Sequence, residues 1–301
     1  MSRLPRRTVV SFPAYAALAA SQTQAATSIR RWRHYSSGRY GQVHVHSAAP
    51  ANEADIKRPP LICMHPSPMS GEMYHDMAGA LAVDRIVHCP DTPGFGQSDP
   101  PPSKPTMTDY GGAIADAVAA LGYGADHDIK QVDIFGFHTG SLVAAEFAAQ
   151  RPDLVRRAVL CGVPHYTPEE RRRQYEQNVR GYPFFTDRDY VNRLFQTLVW
   201  DREQAGTIEQ RLRRLSDRLR AGPNGIWGID AVFTHDTGAL LPRIRMPVLL
   251  IAFNEMMAQP TRDAAKIIPN AKLVEMLDLP IFGFIVAPER VAKTITDFLD
   301  N

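Results

Sequence analysis

Short, largely apolar runs recur along the chain, separated by stretches with helical spacing. The first is Leu61, Ile62, Cys63 and Met64, with no polar residue among them. Similar runs follow at 85–89, 131–135, 158–161, 247–252 and 271–276. Apolar runs this short, without alternation, predict strands buried on both faces of a parallel sheet. Between them the apolar positions fall on one helical face, as with Met73, Met77, Ala80 and Leu81. Ile114, Val118 and Leu121 mark a second helix, with Gly122 placed to cap its C-terminus. Residues 141–149 form a third, stopped by Arg151-Pro152; others are expected near 261–268 and along Val291, Ile295, Phe298 and Leu299. Residues 31–36 and 42–46, around Gly38 and Gly41, predict an opening hairpin. The alternation implies an α/β protein with a mostly parallel, doubly wound sheet and antiparallel strands at one edge.

From 164 to 244 the strand signals vanish and helical periodicity takes over, as in Leu212, Leu215 and Leu219. The expected organisation is an N-terminal extension over 1–28, a core built from 29–163 and 245–301, and an inserted helical cap over 164–244. Residues 1–52 contain no Asp or Glu, and Arg3, Arg6 and Arg7 precede an apolar stretch from Val9 to Ala20. That segment reads as a twin-arginine-like export signal, a basic transit peptide or a cytoplasmic extension. Localisation is therefore cytoplasmic or exported. No later run approaches the ~20 apolar residues of a membrane-spanning helix, so no integral membrane segment is expected.

Composition narrows the chemistry only slightly. A formal net charge of +2 argues against nucleic acid as the main partner. Cys63, Cys89 and Cys161 each lie inside an apolar run, which predicts buried free thiols. The 10 histidines show no zinc-helix spacing, so neither a metal nor a cofactor is called for. A small-molecule ligand is the expected partner, and monomer and homodimer are equally compatible.

The chemistry centres on Gly136-Phe137-His138-Thr139-Gly140, set between a strand and a small-residue helix. This is the context of a nucleophile elbow, with an imidazole where a serine is usual. Two further segments accompany it: His65-Pro66-Ser67-Pro68, and Asp91-Thr92-Pro93-Gly94-Phe95-Gly96-Gln97-Ser98. Taken together, the three resemble the oxyanion loop, the Gly-rich turn and the elbow of the α/β-hydrolase superfamily, in its cap-bearing form. The resemblance covers 31–299. It implies an oxyanion hole made by the backbone N–H groups of Ser67 and Thr139. It also implies an acid after the strand at 247–252 and a histidine before the last helix. At the acid position stands Met256, with Glu255 one residue early; Ile281 and Phe282 occupy the histidine position, and no histidine follows His235.

The triad is therefore expected to be degenerate. His138 is left as the candidate catalytic group, an acid or base working without a relay, at a helix N-terminus that favours the neutral ring. Two alternatives stay open: a catalytically silent pseudo-hydrolase that binds a ligand, and a hydrolase with His138 as nucleophile and Glu255 as a displaced acid. His65, Asp91, Met256, Ile281 and Phe282 are the expected pocket residues, His65 more as a brace for its loop and Asp91 as a cap for its turn. His235, Asp236 and the arginines of 171–173 and 211–220 are expected to be solvated. Tyr182, Phe184, Phe185, Trp200 and Trp227 are candidates for an apolar lid.

Overall fold

The computed structural model describes residues 28–180, 189–201 and 206–301. The expected hairpin is β1 (Ile29–Gly38) and β2 (Gly41–Pro50). Then come β3 (Leu61–Met64), α1 (His75–Leu81), β4 (Val87–Pro90), α2 (Met107–Ala120), β5 (Val132–Phe137), α3 (Thr139–Gln150) and β6 (Val155–Cys161). The described residues between β6 and the next strand hold only helices: α4 (Pro168–Asn178), α5 (Tyr190–Phe195), α6 (Ile208–Arg220), α7 (Trp227–Thr234) and α8 (Thr237–Leu240). The chain closes with β7 (Val248–Asn254), α9 (Ala258–Ile267), β8 (Ala271–Pro280), α10 (Gly283–Val286) and α11 (Pro288–Leu299).

The strands form one sheet in the order β1-β2-β4-β3-β5-β6-β7-β8. β1–β2 and β2–β4 pair antiparallel, and every later pair is parallel. β3, β4 and β5 are buried along their whole length, whereas β1 and β8 at the two edges are mostly exposed. Alternate residues of β5 feed opposite layers: Ile134 packs with α2 and α3, while Phe135 and Phe137 pack with α1 and α11. Each fully buried side chain of this size contributes about 1.5–3 kcal/mol. The central strand is thus a firm base for whatever follows it.

Several elements differ in extent from the sequence expectation, β8 and α9 among them. β8 runs on to Pro280, carried past Met276 by an irregularity in its pairing with β7. α9 begins at Ala258 because Pro260 falls in its first turn, where a missing N–H breaks no helical hydrogen bond. Thr106, Thr167 and Thr207 close capping boxes on α2, α4 and α6. Cys63, Cys89 and Cys161 are buried and free, and burial pushes the Cys63 and Cys161 thiols well up. Among the described residues no helix is long and apolar enough to cross a membrane. The targeting signal around Arg6 and Arg7, and the lid residues Tyr182, Phe184 and Phe185, lie outside the described residues.

Candidate active site

β5 ends at Phe137 and α3 begins at Thr139, so His138 makes the whole turn alone. Its φ of 51° and ψ of −119° are outside the regions open to most side chains. Such a residue costs about 1–3 kcal/mol and persists only where its surroundings hold it. Three hydrogen bonds do so: His138 N–H to the Cys161 carbonyl (3.0 Å), and Ser141 N–H (2.8 Å) and Oγ (2.6 Å) to the His138 carbonyl. The flanking glycines are there for space. A Cβ on Gly136 would lie 2.1 Å from the Gly140 carbonyl oxygen, and one on Gly140 would lie 2.1 Å from that of Met64. The Gly-x-x-x-Gly spacing thus lets α3 leave directly across the strand ends. The Phe137 ring stacks on the imidazole, centroids 3.9 Å apart.

His138 does not stand alone. Its Nε2 lies 3.0 Å from Glu255 Oε1, and the Glu255 side chain is only 4% exposed. The other carboxylate oxygen accepts the Met257 N–H at 3.0 Å. This overturns the expectation that the relay position is empty because Met256 sits there. The pairing of β7 with β8 slips between Phe253 and Asn254, and Glu255 N–H then bonds back to the Phe253 carbonyl at 3.0 Å. That tight turn brings Glu255 inward and leaves Met256 77% exposed at the cavity mouth. Counting residues along an idealised turn misplaces the acid by one.

A carboxylate only accepts, so Nε2 is the donor in this contact, and in the neutral ring Nδ1 then carries the lone pair. Gly162, which gave no signal in the sequence, makes the contact possible. At φ +61° its absent Cβ would lie 2.5 Å from His138 Cδ2 and 3.0 Å from Glu255 Oε1. A glycine directly after the strand neighbouring the elbow was the available clue.

His138 lies in a cavity of about 700 Å³ between the strand ends and the helical segment. Ser67, Thr139 and Met256 line it with His138, and Tyr166, Gln174, Arg218, Phe233 and Met257 join them. Among the described residues, no carbonyl accepts from the backbone N–H of Ser67 or Thr139. A Cβ on Gly228 of α7 would lie 2.0 Å from Ser67 Oγ, so the helical segment closes tightly over this loop.

The remaining candidates lie elsewhere. His65 is buried, with Nδ1 3.0 Å from the Pro66 carbonyl and Nε2 accepting the Thr92 N–H at 2.8 Å. Burial lowers its pKa, and it braces the loop that carries Ser67 as a neutral ring instead of lining the cavity. Asp91 accepts the N–H groups of Gly71 (2.7 Å) and Gln97 (2.9 Å) and pairs with His44 Nδ1 at 2.9 Å. Burial alone would raise its pKa, but the hydrogen bonds from His44 and the Gln97 N–H hold it below the usual range. His44, His46 and Asp91 offer three metal-ligand atoms within 4.8 Å, though the Asp91 oxygens already serve these hydrogen bonds. Phe282 is a left-handed residue whose ring packs 5.7 Å from that of Phe137, behind His138. Ile281 joins the same apolar cluster, so neither lines the cavity.

His235 faces the buried Glu146, its Nε2 3.3 Å from Oε1, and is not solvated. Asp236 is exposed and caps α8. Trp200 is 67% exposed and Trp227 half-buried, and neither lines the cavity. A second cavity of about 520 Å³, lined by Arg31, Arg33, His46, His75 and Arg213 among others, shares no residue with the first.

Comparison with known proteins agrees with this architecture. The family described as alpha/beta hydrolase fold matches residues 59–288. An uncharacterized protein of Mycobacterium tuberculosis is 31% identical over 102 residues, 34% of this chain and 28% of that protein. The chain thus spans well under half the length of that relative. A pimeloyl-(acyl-carrier protein) methyl ester esterase of Chromobacterium violaceum is 24% identical over 252 residues, covering 81% of this chain and 95% of that one. Among solved structures, the enol-lactonase from Burkholderia xenovorans LB400 superimposes with a TM-score of 0.66 at 20% identity, over 89% of this chain and 100% of that one. A thermophilic esterase from Thermogutta terrifontis gives 0.64 at 21% identity, over 90% and 98%. With its sheet order, its strand-elbow-helix turn and a family match over most of its length, the chain belongs to the α/β-hydrolase fold family.

Proposed function

We propose that this protein is an enzyme acting on a small ester, lactone or other carbonyl compound held beneath the helical segment. His138 Nδ1 is its general base and Glu255 the group that orients and charges that base. The observation that carries this reading is the 3.0 Å contact between His138 Nε2 and the buried Glu255 carboxylate. A buried acid on the far nitrogen fixes the tautomer and stabilises the imidazolium formed on proton transfer, as in histidine–carboxylate pairs generally. Nδ1 takes a proton from a bound water or from the carbon beside the carbonyl. The resulting oxyanion is met by the backbone N–H groups of Thr139 and Ser67. For an ester, water adds to the carbonyl carbon, and the departing alkoxide recovers the proton from Nδ1. Neither route forms an acyl-serine, in keeping with the absence of a serine at the elbow. The family match and the esterase and lactonase neighbours support carbonyl substrates as the class to try first.

The test is turnover of a panel of esters, lactones and β-diketones by wild type and His138→Ala. At least a 10²-fold loss is expected for whichever compound is turned over. Binding without turnover, insensitive to the substitution, would make the protein a silent receptor. Mass spectrometry of quenched reactions separates the remaining alternative, since attack by Nδ1 itself leaves an acyl group on His138. A fluorophosphonate probe is expected to leave the protein unlabelled, and labelling at Ser67 or Ser141 would overturn the assignment.

A further inference from the structure

α6 carries five arginines, and four of them are accounted for. Arg211 donates to the carbonyls of Val199, Asp201 and Gly206. Arg213 pairs with Glu209 and lies 3.6 Å from Glu72. Arg214 is buried with its guanidinium 5.1 Å from the Phe282 ring centroid. Arg220 is exposed at the end of the helix. Of the five, Arg218 is the one that lines the cavity that holds His138; it is half-buried, and its Nε is shielded from solvent with no hydrogen-bond partner. Among the described residues no carboxylate pairs with it. Asp217, next in the chain, turns the other way and accepts from Ser70 Oγ at 2.6 Å.

Among the described residues, the lining of the cavity includes no Asp or Glu. The nearest functional acid, Glu255, has both oxygens committed to His138 and Met257. The described lining includes the amides Gln174 and Gln177 and the apolar Leu194, Ile229 and Val232. A lone cation in such surroundings stands there at a cost unless an anion neutralises it, and a guanidinium fork matches a carboxylate in two-point geometry.

We propose that Arg218 binds a carboxylate at the end of the substrate remote from the reacting carbonyl, so that the preferred substrates are half-esters or lactones bearing a free acid. This rests on the His138–Glu255 reading only in placing the reacting carbonyl at the elbow. The test compares monomethyl adipate with methyl hexanoate, which lacks the terminal carboxylate. Wild type should favour monomethyl adipate in kcat/KM, and Arg218→Met should reduce that preference at least tenfold, mainly through KM. Arg218→Lys, which keeps the charge but not the fork, should restore part of it. A preference that falls less than tenfold in Arg218→Met overturns the proposal.

A binding arm needs no turnover. His138→Ala titrated with monomethyl adipate by calorimetry should bind at least tenfold more tightly than His138→Ala/Arg218→Met does. Equal affinity would overturn the proposal as well. If the catalytic reading is wrong, turnover is absent while this difference in binding persists. If the Arg218 proposal is wrong, turnover persists without discrimination.

Discussion

Replacing Glu255 with Gln is a nearly isosteric change whose consequence follows from two distances. The carboxylate serves two donors: His138 Nε2 at 3.0 Å and Met257 N–H at 3.0 Å. An amide has one oxygen and one NH₂ to offer in their place. If the oxygen stays on the Met257 N–H, the NH₂ faces Nε2, which must then accept. The imidazole proton moves to Nδ1, and the lone pair facing the cavity is gone. The opposite flip keeps the productive tautomer but sets an N–H against the NH₂ and leaves a buried donor unpaired, at about 1–3 kcal/mol. That penalty alone reduces the productive form to between about a fifth and under a hundredth. Loss of the negative charge also removes stabilisation from the imidazolium of the transition state. Histidine–carboxylate pairs of this kind lose about 10⁴-fold in kcat when the acid becomes its amide. We therefore expect Glu255→Gln to lower kcat by roughly 10²–10⁴-fold. The assay is steady-state turnover of the best substrate from the panel, alongside a melting curve showing that the fold survives. A variant that melts like wild type and works within about threefold of its rate would refute the reasoning, because the tautomer switch alone predicts a larger loss.

Three further outcomes are expected. Gly162→Ala places a methyl 2.5 Å from His138 Cδ2 in a residue at φ +61°; it should lower the melting temperature and abolish turnover together, and a variant retaining both would show the dyad to be looser than described. Asp217 has its carboxyl pushed up to about 6 from 3.8 by burial, only partly offset by the Ser70 hydrogen bond. With its pKa raised on folding, the folded state binds the proton more tightly than the unfolded one, so stability falls between about pH 4 and about pH 6, is level above that range and is unaffected below it. Asp217→Asn should accordingly gain on wild type by up to about 3 kcal/mol between pH 4 and pH 7 in denaturant titrations, whereas a gap independent of pH would contradict this. Gly140→Ala, whose new methyl would meet the Met64 carbonyl at 2.1 Å, should give little folded protein, and a normal melting curve would rule out the close crossing of α3 over β3.

Much of the fold was legible because burial on both faces leaves a plain mark in sequence. The apolar run at Leu61–Met64 is β3 without adjustment, and the elbow glycines mark where α3 crosses the strand ends. Ser67, Thr139 and Met256, which stand in turns that the sequence marks, line the cavity. Other features depend on geometry that spacing does not encode. Glu255, and not Met256, faces inward because one hydrogen bond to Phe253 tightens the turn. Gly162 matters only through what would strike its side chain, a contact between segments far apart in the chain. On α6 the helical period separates apolar from basic positions, yet it cannot say which arginine has a partner. His65, Asp91, Ile281 and Phe282 lie near the site in sequence logic, but loop bracing and core packing take them away from the cavity.

The central claim is that Glu255 holds His138 with its proton on Nε2 and its lone pair on Nδ1, at the floor of the cavity. Nitrogen-15 NMR of the histidine-labelled protein measures this directly, with His138→Ala assigning the resonance. In the neutral ring the account predicts a protonated Nε2 and a bare Nδ1, reversing in Glu255→Gln. A ring protonated on Nδ1 in wild type would contradict it.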